Sequence, residues 1–136
     1  MKLLTRDTDY AIRALSCIAG EKGVVSVTSL TEKLDVPRPF TRKILQILNK
    51  KGILVSIKGK GGGFKLAVPP GEISLFRLME IFQGPFEMNE HVFKGERCPY
   101  LKVCKLKKKL DKIEKGVAGE LKSITLDSLI GMHEPG

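Results

Sequence analysis

Residues 38–68 read RPFTRKILQILNKKGILVSIKGKGGGFKLAV, and this stretch decides the fold. Phe40, Ile44, Ile47 and Leu48 recur at helical spacing and mark one face of a helix. Pro39 suits the first turn of that helix, and Gly52 closes its end. The opposite face carries Arg38, Arg42, Lys43, Gln46 and Asn49, all hydrogen-bond donors. Residues 53–57 (ILVSI) then read as a strand and 58–63 (KGKGGG) as a flexible basic turn. Residues 64–68 (FKLAV) form a return strand stopped by Pro69-Pro70-Gly71. Two β runs around a glycine-rich turn predict a hairpin.

Upstream, Ala11, Ala14, Leu15 and Ile18 give residues 5–20 a helical face, with Asp7 and Asp9 near the first turn where the helix dipole favours negative charge. A short helix is predicted over 27–34. Ser26 or Thr28 would cap it, Leu30 and Leu34 would be buried, and Asp35-Val36-Pro37 breaks it. Helix, helix, helix, hairpin is the order of a winged helix-turn-helix. Its third helix enters the DNA major groove, and its hairpin lies against backbone or minor groove.

Downstream, a helix over 74–82 buries Leu75, Leu78, Met79 and Phe82, and Gly84-Pro85 ends it. Residues 85–102 have weak periodicity and read as a loop. From Val103, a seam of Leu106, Leu110, Ile113, Val117, Leu121 and Ile124 steps by three and four residues, as a partner helix requires. A wing domain with such a helix points to a two-fold dimer. The expected fold is mainly α with a small β-hairpin wing: a winged helix-turn-helix plus a long C-terminal dimerisation helix. The expected divisions are a DNA-binding domain over 1–84, a sensor loop over 85–102, the dimerisation helix over 103–130 and a tail over 131–136.

Charge supports a polyanion partner. The chain has 136 residues and a formal net charge of +9. Residues 36–71 hold eight basic groups (Arg38, Arg42, Lys43, Lys50, Lys51, Lys58, Lys60, Lys65) and no acidic one, whereas the two flanks are nearly balanced. A solvated surface usually mixes signs, so a block of one sign favours a polyanion. Lys and Arg on phosphates give affinity, and bidentate donors on base edges give sequence choice. Arg42 is the best base reader. The candidate DNA contacts are Arg38, Thr41, Arg42, Lys43 and Gln46 on the third helix and Lys58, Lys60, Gly61 and Gly62 on the wing turn.

Other classes are poorly supported. No Gly-Lys-Ser/Thr phosphate loop or strand-to-helix glycine fingerprint occurs, and two His with no Trp leave little for acid–base catalysis, so an enzyme is not expected. No apolar run reaches the roughly 18 residues that cross a bilayer, and the first ten residues do not resemble a secretory signal. A cytoplasmic protein without membrane partners is expected.

Three cysteines, Cys17, Cys98 and Cys104, argue against a disulfide framework. Cys17 falls in the first helix and reads as a small buried hydrophobe. His91, Cys98 and Cys104 share one loop, where Arg97, Lys102 and Lys105 favour thiolate. Three soft ligands suit zinc or an iron–sulfur cluster but leave a closed site one ligand short. Reduced thiols or a reversible disulfide are the alternatives.

The chain resembles the Rrf-two family of bacterial winged-helix regulators over nearly its whole length. The resemblance is carried by residues 4–15 (LTRDTDYAIRAL), 40–52 (FTRKILQILNKKG), 58–67 (KGKGGGFKLA), 104–107 (CKLK) and 124–129 (ITLDSL). It implies a homodimeric transcription regulator that senses redox, nitric oxide or iron status through an iron–sulfur cluster, 2Fe-2S or 4Fe-4S. In this sequence the implied ligands are Cys98, Cys104 and His91, which stands about where the family's first cysteine is expected, with Asp9 from the partner chain. Other members carry no cluster, which leaves a regulator switched by thiol oxidation or a small ligand. A small metal-bearing redox protein is a third reading.

Overall fold

The computed structural model describes residues 2–21, 23–88 and 105–130. Helix α1 (Arg6–Gly20) starts at Thr5, whose hydroxyl accepts the Thr8 amide, and carries Asp7 and Asp9 in its first turn. Helix α2 (Val27–Leu34) is capped by Ser26, which accepts the Ser29 amide at 3.1 Å. Asp35 then takes the left-handed conformation at φ 52°, and Pro37 leads into helix α3 (Arg38–Lys50). Asp tolerates that conformation better than most residues, which makes the sharp helix-turn-helix angle accessible.

Strands β1 (Leu54–Ile57) and β2 (Gly63–Leu66) pair antiparallel, with Leu54 opposite Leu66 and Ile57 opposite Gly63. The first strand begins one residue later than predicted because the Ile53 amide bonds back to the Leu48 carbonyl at 3.0 Å, closing α3. The hairpin also has a neighbour that the spacing did not predict. Val25 and Phe64 exchange both backbone bonds, at 2.9 and 2.8 Å, so the segment before α2 forms a third edge of the wing.

Helix α4 (Leu75–Gln83) is capped by Ser74, and helix α5 (Lys105–Ser123) follows. The dimerisation helix is expected over 103–130 with its seam running to Ile124, but α5 stops at Ser123. The next residues fold back: the Leu75 amide bonds to the Ile124 carbonyl and the Leu126 amide to the Ile73 carbonyl, and a short 3-10 turn spans Leu126–Ser128. Leu121 and Leu126 are therefore buried beside α4, while Leu106 and Ile113, toward the start of α5, remain 60% and 55% exposed.

The core joins Leu15 of α1, Leu30 of α2, Leu45 and Leu48 of α3, Leu54 of β1, Ile73, Leu78 of α4 and Leu126. Each such side chain contributes about 1.5–3 kcal/mol on burial. All three N-terminal helices and the hairpin thus share one apolar centre, which fixes the angle at which α3 presents its outer face. No described helix is long and apolar enough to cross a membrane.

Candidate nucleic-acid interface

The inner face of α3 is Thr41, Ile44, Leu45 and Leu48, all buried. With about 3.6 residues per turn, that leaves Arg38, Arg42, Lys43, Gln46 and Asn49 on the outer face, and all five are exposed. Arg38, Pro39, Arg42, Lys43 and Gln46 line a shallow depression of about 300 Å³. Among the described residues, no carboxylate pairs with these cations. Thr41 does not join them. It is 3% exposed, its hydroxyl donates to the Pro37 carbonyl at 3.3 Å, and it packs on the inner side of the helix rather than on the exposed face expected of a DNA contact.

The wing turn exposes Lys58, Lys60 and Gly61, and Gly62 is half-buried. Gly59 and Gly61 adopt φ 96° and 78°, a region costly for residues with a β-carbon. Gly62 donates to the Gly59 carbonyl at 3.0 Å, and a β-carbon on Gly62 would stand 2.1 Å from the Ile57 carbonyl oxygen. The turn is therefore a narrow loop of backbone that follows Lys58 and carries Lys60 within it. A second depression of about 250 Å³, lined in part by Ser26, Ser29, Lys33, Gly61 and Gly62, separates it from the start of α2. The Lys33 ammonium is held by Glu21 at 2.7 Å.

Asp9 is half-exposed, and Oδ2 meets the Arg13 guanidinium at 3.2 Å. Its Oδ1 has no protein partner among the described residues. His91, Cys98 and Cys104 lie outside the described residues, as does most of the expected sensor loop. Among the described residues, no group of three or more His, Cys, Asp or Glu gathers to hold a metal ion. Cys17, expected to be buried, is half-buried on α1 and packs against the core.

Two features escaped the sequence reading. The Gln83 amide at the end of α4 bridges to the start of α1, accepting from the Thr5 amide at 3.0 Å and the Thr8 hydroxyl at 2.6 Å. Arg6 lies over the ring of Phe40, joining α1 to the first turn of α3. A cation at the dipole-disfavoured start of a helix was the available signal for the second.

The family model for Rrf2, described as an iron-dependent transcriptional regulator, matches residues 4–132. The chain belongs to the Rrf2 family. It is therefore a transcriptional regulator by family. One relative carries a regulator's name: the chain is 29% identical over 134 residues to the HTH-type transcriptional regulator NsrR of Oceanobacillus iheyensis, covering 96% of this chain and 91% of that one. It is 32% identical over 129 residues to protein aau3 of Rhizobium meliloti, covering 93% and 84% of the two chains. Its fold matches that of CymR, the global cysteine regulator of B. subtilis, with a TM-score of 0.79 at 23% identity, over 98% of this chain and all of that one. It also matches T. potens IscR, with a TM-score of 0.73 at 23% identity, over 98% and 89%.

Proposed function

We propose that this Rrf2 protein binds duplex DNA as a homodimer, setting α3 of each subunit into the major groove and each wing turn against the backbone or minor groove. The observation that carries this reading is the outer face of α3, where Arg38, Arg42, Lys43, Gln46 and Asn49 stand exposed on a helix whose opposite face is locked in the core. Arg42 is the reader of a guanine edge, because its fork can donate two bonds to one base. Arg38, Lys43 and Gln46 divide between base edges and phosphates, and Lys58 and Lys60 hold phosphates beside Gly61 and Gly62. Two such helices in a two-fold dimer meet groove faces ~34–36 Å apart, which calls for a near-palindromic site.

The reading includes an iron–sulfur sensor made of His91, Cys98 and Cys104 of one chain and Asp9 of the partner chain. Thiolate, imidazole and carboxylate are all iron ligands, and the unengaged Oδ1 of Asp9 suits a single-oxygen ligand. When bound, the cluster supplies redox and nitric oxide reactivity. The chain's own part is to hold Asp9 in α1, a helix packed on α3, so that occupancy of the site bears on the DNA-binding face. The fold likeness to a cysteine regulator favours a second reading, a cluster-free regulator switched by thiol oxidation or a small ligand.

Selection of bound sequences from a random oligonucleotide pool tests the DNA function. A palindromic consensus is expected, and Arg42→Ala should weaken the selected site by about 1–3 kcal/mol more than random DNA. Equal losses would make Arg42 a phosphate contact, and no enrichment would defeat sequence-specific binding. Oxygen-free purification separates the two sensors. Colour, iron and sulfide that vanish in Cys98→Ala support the cluster, and colourless protein lacking both elements defeats it and leaves the cluster-free reading.

A further inference from the structure

We infer that Arg6, in the first turn of α1, is a phosphate-binding residue of the same interface, although it lies outside the basic block of residues 36–71. The inference rests on the DNA-binding reading and adds a contact that the reading does not contain. Arg6 is exposed, and its guanidinium carbon lies 5.0 Å from the centroid of the Phe40 ring. Phe40 sits in the first turn of α3, and Tyr10 of α1 holds its ring edge-on at 5.3 Å. On the helical wheel, Phe40 stands beside Lys43 and Ile47, between the buried row through Ile44 and the exposed cationic face. A cation stacked there stands at the side of the recognition helix. A helix roughly 10–12 Å across nearly fills a major groove about 12 Å wide, so its side faces a wall of phosphates.

The charge of Arg6 points the same way. The dipole of α1 disfavours a cation in the first turn, and the neighbouring Asp7 and Asp9 follow that preference while Arg6 does not. Asp9 is already engaged by Arg13. Among the described residues Arg6 has no carboxylate partner, so its charge is not neutralised internally. The contact with Phe40 holds the guanidinium beside α3, where its N–H groups can fork onto phosphate oxygens.

The test is a salt titration of binding to a short random-sequence duplex and to a selected site. Arg6→Gln removes one contact from each of the two subunits, so it should flatten the slope of log K against log salt by about 1.8 on both duplexes, leaving the ratio of the two affinities unchanged. Arg6→Lys should keep the wild-type slope. Arg6→Glu suits the helix dipole, so it should melt no lower than wild type yet bind both duplexes more weakly than Arg6→Gln. An unchanged slope in Arg6→Gln, or wild-type binding by Arg6→Glu, overturns the proposal. So does a loss confined to the selected site, the result if Arg6 merely props Phe40 and orients α3. If the wild-type chain shows no salt-dependent binding to either duplex, the DNA reading itself falls and takes Arg6 with it. A steep wild-type slope that Arg6→Gln leaves intact removes Arg6 alone.

Discussion

At Gly63 one methyl group separates a closed wing from an open one. A β-carbon built there would stand 2.2 Å from the Val25 carbonyl oxygen, the atom that accepts the Phe64 amide. Backbone on both sides leaves no flexible side chain to give way. Gly63→Ala must therefore part Val25 from Phe64 or shift the hairpin, and we expect a loss of roughly 2–4 kcal/mol in urea unfolding. Gly59 differs. It meets nothing within 4 Å, so Gly59→Ala bears only its left-handed backbone at φ 96°, about 1–2 kcal/mol. Equal losses in the two variants would show that the Val25 clasp is loose. The run Gly61-Gly62-Gly63 was legible as a turn. Which glycine closes against Val25 was not, because that neighbour comes from a segment far upstream in the chain.

Among the elements, α1 and α4 are joined by one amide. Gln83 accepts from the Thr5 amide and the Thr8 hydroxyl, and its Nε2 donates to the Leu3 carbonyl at 3.1 Å. Thr8 is wholly buried, so a lost partner cannot be replaced by water without local opening. Gln83→Leu should cost about 2–4 kcal/mol and speed hydrogen exchange in the first turn of α1. Thr8→Val removes the hydroxyl while keeping the shape. The Thr8→Val, Gln83→Leu pair should therefore cost less than the sum of the single losses by about 1 kcal/mol. Strict additivity would rule out the joint. Helix spacing identified α1 and α4 without difficulty, since apolar residues three and four apart mark a buried face. It could not reveal Gln83, a polar residue whose partner Thr8 is 75 positions away.

For the whole molecule, the stripe of α5 divides in two. Leu121 is covered by the chain's own core, while Leu106 and Ile113 stay exposed, as a surface awaiting a second copy would be. Leu106→Glu combined with Ile113→Glu should leave the melting of the DNA-binding module nearly unchanged, because exposed substitutions usually act within about 0.5 kcal/mol. On the dimer proposed above, the same pair should sediment as a monomer and bind a palindromic site far more weakly than wild type, because two half-sites are no longer held together. A dimer that survives both charges would place the subunit contact elsewhere.

The sequence by itself determined the order of helices and hairpin, the cationic face of α3 and the glycine turn. Those features are local: apolar spacing, capping residues and a run of one charge act within a few residues of one another. The tertiary structure alone decided that Thr41 turns inward, that Arg6 joins the side of α3, that Val25 clasps the wing and that the end of the last helix returns to the core. Each of these depends on contact between segments distant along the chain, and packing around a shared apolar centre brings them together.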